Sequence, residues 1–135
     1  MSVLGCDVSK AVLLKIAIPI MAALLLAVAL PALTSTPTRE VTLVARGMAF
    51  YIEGDLGTPN PTIEVKAGER VRIVLRNEDR GMTHDFAVPA LAAAMDAIRW
   101  SESADVLFDA PETPGTYQYE CRPHRLMMRG VLRVY

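Results

Sequence analysis

Cysteine, histidine and tryptophan are all scarce in this 135-residue chain, which holds two, two and one of them. Two cysteines cannot build a disulfide framework of the kind that staples small secreted folds. Aromatic residues make up 6% of the chain, so any core must be largely aliphatic. An excess of charge of one sign is missing too: 14 Lys and Arg face 15 Asp and Glu, and the pI is near 6.1. That balance argues against a nucleic-acid binder, which needs a concentrated basic face. With 52% hydrophobic residues and a mean hydropathy of +0.28 the chain is also too apolar for a disordered tail. Its length allows one ordinary domain, and it contains neither internal repeat nor low-complexity tract.

The apolar excess is concentrated at the N-terminus. Residues 16–33 form an uncharged run of 18, with Lys10 and Lys15 just before it. As a helix the run spans about 27 Å, close to the roughly 30 Å hydrocarbon core of a bilayer. Residues 1–33 therefore read in one of two ways. As a signal peptide they comprise a positive region to Lys15, an apolar stretch over 16–26 and a small-x-small cleavage site at Ala27-Val28-Ala29. As a signal-anchor helix they stay in the membrane, with Lys15 reaching back to the cytoplasmic headgroups. Both place the remainder outside the cytoplasm, in the periplasm or on the outer face of the plasma membrane, soluble after cleavage or anchored. Cys6 then lies on the cytoplasmic side; Val3-Leu4-Gly5-Cys6 resembles a lipobox but precedes the apolar run. Cys121 is left alone in an oxidising compartment, where a thiol is oxidised unless it is buried or bound.

Residues 34–39 are a short polar linker, and residues 40–135 carry the period-2 pattern of half-buried strands. Val41, Leu43 and Ala45 alternate with more polar neighbours, as do Ile63 and Val65, then Val71, Ile73 and Leu75. Further strands are expected over 48–53, 83–88, 106–109, 116–120 and 130–135, separated by Gly-, Pro- and Asn-rich turns. The alanine-rich stretch 90–99 is the one expected helix, with Trp100 packed at its end. Short strands with a turn signal every 8–12 residues predict an all-β, antiparallel Greek-key β-sandwich preceded by the N-terminal apolar helix.

The chemistry-bearing residues of this domain are few and well placed. Cys121-Arg122-Pro123-His124 puts a thiol and an imidazole in one loop between the last two strands, with Met127 and Met128 close behind. His84, 37 residues before Cys121, opens a strand that a sandwich can bring alongside that loop. Two imidazoles, a thiolate and a thioether are the donor set of a trigonal His₂Cys copper site with a weak axial methionine. Thiolate and thioether favour Cu(I), imidazole accepts both oxidation states, and a stiff β-scaffold presents one geometry to both. Zinc also suits His₂Cys, but usually with a carboxylate or water in the fourth position. A binuclear copper centre needs two loop cysteines, and this loop has one. A Cys-His hydrolase would need an open thiolate and an acid orienting the histidine; Asp85 directly follows His84 in a strand and so faces the other way.

The segment Tyr119-Glu120-Cys121-Arg122-Pro123-His124, followed by Met128-Arg129-Gly130, strongly resembles the copper loop of the small blue copper proteins, the plastocyanin and amicyanin group of cupredoxins. Gly115-Thr116-Tyr117-Gln118-Tyr119, the stretch from Asn60 to Glu69, and His84-Asp85-Phe86 resemble other strands of that family. The resemblance implies one copper per chain, cycling between Cu(I) and Cu(II), with His84, Cys121 and His124 as equatorial ligands. Counting back from Gly130 selects Met128, the favoured axial ligand; counting forward from His124, as in the shortest loops, gives Met127 as the alternative. Met82 is a remote third candidate. Where the family commonly has Asn after the first histidine this chain has Asp85, and an Asp85–Arg122 ion pair is expected to replace the amide that ties the ligand loops together.

The resulting expectation is an electron carrier with no substrate turnover of its own. His124 would be the electron port, ringed by Pro123, Leu126 and one methionine. Arg122, Arg125 and Arg129 nearby predict a redox protein partner with an acidic docking surface; nucleic acid is not a partner, and membrane contact runs through the N-terminal helix if it is retained. The alternative is an extracytoplasmic copper carrier or chaperone using the same His, Cys and Met residues.

Overall fold

The computed structural model describes residues 37–135, and the expected leader over 1–33 lies outside them. The described residues form nine strands: β1 (Thr38–Arg46), β2 (Ala49–Ile52), β3 (Ile63–Val65), β4 (Arg70–Asn77), β5 (Ala87–Val88), β6 (Ala93–Ala94), β7 (Ser103–Asp109), β8 (Gly115–Glu120) and β9 (Arg129–Val134). They lie in two sheets, ordered β2-β1-β4-β7 and β3-β9-β8-β5-β6, and the chain passes back and forth between them. Among the described residues, no helix is long and apolar enough to cross a membrane.

The alternation legible in the sequence sets which face of each strand is buried. Val71, Ile73 and Leu75 of β4 are fully buried, as are Leu43 and Ala45 of β1, Val65 of β3 and Leu132 of β9. Val44 departs from the pattern: it is buried although it faces away from the main core. Its register neighbours on that face are Tyr51 and Arg76, whose long side chains flank it. The expectation of a wholly antiparallel sandwich is corrected at two pairings. β1 runs parallel to β4 from Thr38 opposite Arg70 to Ala45 opposite Asn77, and β3 runs parallel to β9. Both pairings involve a crossover, because one member of each pair is reached from the opposite sheet: β4 from β3, and β3 from β2.

The second correction concerns residues 90–99, which are not a helix. Pro89–Leu91 make one 3-10 turn, which Ala92 ends in the left-handed region at φ 51°. Ala93 and Ala94 then pair antiparallel with Val88 and Ala87. Lower down, the His84 N–H donates to the Ile98 carbonyl at 3.0 Å, and the Ile98 N–H returns to His84 O at 2.8 Å. The segment thus folds back on the strand before it, and pairing overrides the helix propensity of alanine. Residues 83–88 form regular strand only over β5, with His84 held by this bridge. Trp100 is not packed away either; it is 46% exposed, with the Arg80 guanidinium 4.2 Å above its ring.

An aromatic trio sits beneath the end of the sandwich where β8 finishes. Phe50, Phe86 and Tyr119 are all fully buried, with ring centroids 5.2 to 6.0 Å apart. The Tyr119 hydroxyl donates to the Pro61 carbonyl, which satisfies its one polar atom. Tyr119 and Cys121 are two residues apart and both point inward, as a strand requires. The trio is therefore the floor on which the cysteine stands.

Candidate metal centre

Three ligand-bearing side chains converge from two segments far apart in sequence. His84 is set by its bridge to Ile98, and Cys121 follows directly on β8. His124 ends the 3-10 turn Arg122–His124. The ligand atoms of His84, Cys121 and His124 all lie within 4.8 Å of one another. Cys121 Sγ is 3.7 Å from His84 Nδ1 and 3.6 Å from His124 Nδ1, and the two imidazole centroids are 4.9 Å apart. His84 and Cys121 are fully buried, whereas His124 is half-buried at the surface.

The loop after Cys121 is closed by backbone hydrogen bonds. The His124 N–H donates to Cys121 O at 3.0 Å, Met128 N–H to His124 O at 2.9 Å, and Cys121 N–H to Met128 O at 2.9 Å. This winding separates the two methionines that counting left open. Met128 is fully buried and Met127 is 60% exposed. Only Met128 is enclosed with the other ligands. Met127 joins Pro123, Leu126 and Met48 around a shallow depression at the edge of His124. Leu126 is 85% exposed there. Met82, the third candidate, is also exposed and lies in the turn before His84.

Asp85 and Arg122 meet as expected. The Asp85 carboxylate accepts the Arg122 backbone N–H at 2.7 Å and its Nε–H at 2.6 Å, while an Arg122 terminal amine donates to Met95 O at 2.7 Å. Asp85 is buried. Its side-chain hydrogen bonds go to Arg122, and the carboxylate that meets His84 Nε2 is that of another residue.

Two further residues escaped the reading of the sequence. Asp79 Oδ2 lies 3.0 Å from His84 Nε2. Asn77, fully buried, donates through its amide to Met82 O at 2.9 Å and Ile98 O at 3.0 Å, and accepts the Asp79 N–H at 2.8 Å. Asn77 thereby shapes the whole turn from 77 to 84. The available signal was an Asn-x-Asp pair five residues before a ligand histidine; Asn and Asp of that spacing organise their own turns.

Burial dominates the electrostatics of the site. Burial pushes the Cys121 thiol above its usual range and outweighs the hydrogen bonds to it. Burial likewise pulls His84 below its ordinary 6.5 and prevails over the opposing pull of Asp79. Burial alone would raise the Asp79 carboxyl, but the N–H groups of Gly47 and Met48, with His84, bring it below the ordinary value.

The spacing fits a metal ion. With sulfur at about 2.3 Å and nitrogen at about 2.0 Å from the ion, and about 120° between them, the two ligands lie roughly 3.7 Å apart. The observed separations match that figure. One thiolate, two imidazoles and an enclosed thioether are the soft-to-borderline mixture that suits copper in both oxidation states. The cofactor is copper, held by His84, Cys121, His124 and Met128.

Comparison with known proteins agrees. Residues 18–134 match the family model of the cupredoxin-like domain. Among solved structures, auracyanin B is similar at 25% identity and a TM-score of 0.58, over 76% of this chain and 93% of that one. Auracyanin A, a "blue" copper protein from the green thermophilic photosynthetic bacterium Chloroflexus aurantiacus, is 20% identical with a TM-score of 0.55, over 73% and 100%. Copper nitrite reductase from Nitrosomonas europaea is 26% identical with a TM-score of 0.56, over 73% of this chain but 41% of the enzyme. No curated protein matches the chain in sequence.

Proposed function

The chain belongs to the cupredoxin-like family, and from that premise we propose that it is an exported carrier of single electrons on one type 1 copper, without substrate turnover of its own. The observation that carries this reading is the unequal exposure of the two imidazoles. His84 is sealed inside, while the edge of His124 opens on an apolar rim of Pro123, Leu126 and Met127. When bound, copper supplies a one-electron couple between Cu(I) and Cu(II). The protein's part is to hold the four ligands in one arrangement, keep water from Cys121, and expose one ligand edge to a partner. Fully buried Cys121, standing on the aromatic floor, leaves no opening for a substrate at sulfur, which supports a carrier over a Cys-His hydrolase.

Export rests on the apolar run over 16–33, which as signal peptide or anchor delivers the domain to the periplasm or the outer membrane face. Exposed Arg125 on the rim, with exposed Arg129 close behind it in sequence, suits a redox protein with an acidic docking surface. The test is to load the full chain with Cu(II) and record its visible spectrum beside a Cys121→Ser control. An intense thiolate-to-copper band, absent from the control and reversibly bleached by reductant, is expected; a weak spectrum in the loaded protein overturns the reading.

Exposed Met127 and half-buried Met48, which flank His124 in the same depression, favour a second reading as a copper carrier, because thioethers accept Cu(I). Release to a chelator separates the two. Slow loss marks the electron carrier, and rapid loss marks the copper carrier.

A further inference from the structure

Asp79 stands at a junction of three segments. Its Oδ1 accepts the Gly47 N–H at 2.7 Å, and its Oδ2 accepts the Met48 N–H at 3.2 Å. The same Oδ2 lies 3.0 Å from His84 Nε2, and the Asp79 N–H donates to Asn77 Oδ1. Gly47 and Met48 form the two-residue turn between β1 and β2, with φ of 58° and 62°. The left-handed region is unfavourable for methionine, and here it lets two consecutive N–H groups converge on one carboxylate. The turn thus fixes the carboxylate, and the carboxylate faces the buried ligand.

We propose that Asp79 is a positioning residue for the copper: it fixes the tautomer and direction of His84 and, through its charge, strengthens that imidazole as a donor to Cu(II). The inference rests on the copper reading above and adds a residue to it. An ionised carboxylate can only accept a hydrogen bond, so the proton at this contact belongs to Nε2. The lone pair of His84 is then on Nδ1, the atom that faces Cys121 Sγ. His84 is fully buried, so water cannot take over the role of Asp79. A neutral acceptor would select the same tautomer; a carboxylate also raises ligand basicity, which favours the more highly charged metal ion.

The experiment compares the full chain with Asp79→Asn, which keeps the size of the side chain and removes its charge. The variant is expected to retain the thiolate-to-copper band, to show a higher reduction potential, and to bind both Cu(II) and Zn(II) about 10- to 100-fold more weakly. An unchanged or lowered potential, or unchanged affinities, overturns the proposal. A variant that does not fold leaves a measurement on the unaltered protein, in which Zn(II) serves as a diamagnetic probe. Nitrogen-resolved NMR should show His84 protonated at Nε2, with slow exchange, and metal-bound at Nδ1; coordination through Nε2 overturns the proposal. Failure of the copper reading is seen separately, as a weak spectrum of the unaltered protein, while zinc affinity and the tautomer still decide the part of Asp79.

Discussion

Asp85 and Arg122 clasp each other across the two segments that bear the ligands, the buried carboxylate taking both the backbone N–H and the Nε–H of the arginine. The two bonds are unequal in consequence. Arg122 is half exposed, so its side-chain pair is screened by water. The backbone bond is part-buried beside Cys121 and orients the loop. Arg122→Ala is therefore expected to keep the copper spectrum and to lose at most about 1 kcal/mol of stability. Asp85→Ala, which strands the Arg122 N–H, should cost about 1.5–3 kcal/mol and hasten copper loss to a chelator. Denaturant unfolding of both variants checks this, and equal losses would refute the ranking.

The burial of Met128 and exposure of Met127 predict opposite behaviour for one conservative change. Met128→Leu should preserve the thiolate band while shifting the reduction potential, because the weak axial ligand tunes it. Met127→Leu should leave spectrum and potential alone. A spectral change confined to Met127→Leu would exchange their roles.

Gly130 lies opposite Tyr119 in the β8–β9 register. A β-carbon there would fall well inside contact distance of the Tyr119 ring and hydroxyl. The ring cannot retreat, since Phe50 and Phe86 pack on it and Pro61 holds its hydroxyl. Gly130→Ala should destabilise the domain by about 1–3 kcal/mol through overpacking. Thermal unfolding of the metal-free protein measures it, and an unchanged midpoint would show that the floor can give way.

Because burial holds His84 below its ordinary 6.5, the metal-free protein should lose stability in acid. Below about pH 6.5 the unfolded chain takes up a proton that the folded site resists, so the unfolded state binds more protons and stability falls with pH. The unfolding midpoint should drop between pH 7.5 and 5.5, with a shallower drop in His84→Gln. The same logic applied to the raised Cys121 thiol predicts that metal loading near neutral pH releases a proton. A rising midpoint in acid, or loading without proton release, would contradict these assignments.

If the arginines beside His124 steer an acidic partner, the second-order rate of electron exchange with that partner should fall as salt is added. Arg125→Glu together with Arg129→Glu should remove most of that dependence and leave the potential unaltered. Stopped-flow kinetics at several ionic strengths is the measurement, and a rate indifferent to salt would discount the steering.

The strand alternation and the Cys-x-x-His spacing were legible because both are local. Val71, Ile73 and Leu75 announce a buried face wherever their neighbours lie, and a loop that carries a thiol, an imidazole and a thioether announces soft-metal chemistry. Three features were not legible, each for want of distant information. Residues 90–99 have the composition of a helix, and only their pairing with the strand before them makes them otherwise. Met127 and Met128 are adjacent and chemically identical; counting from Gly130 favours Met128, but only the winding of the loop shows which one is buried. Asp79 looks like any acidic turn residue until Gly47, from another hairpin, and His84 are seen to share it.

The direction of β1 has one more consequence. It starts at Thr38, opposite Arg70, and ends in the turn at Gly47 and Met48, whose N–H groups reach Asp79 beside the copper ligands. The nine residues of β1 advance about 26 Å, so the strand begins at the far pole of the sandwich and the metal ligands gather at the opposite tip. Thr38 and the copper apparatus thus stand at the two ends of one strand, and a substitution at Thr38 is remote from the port.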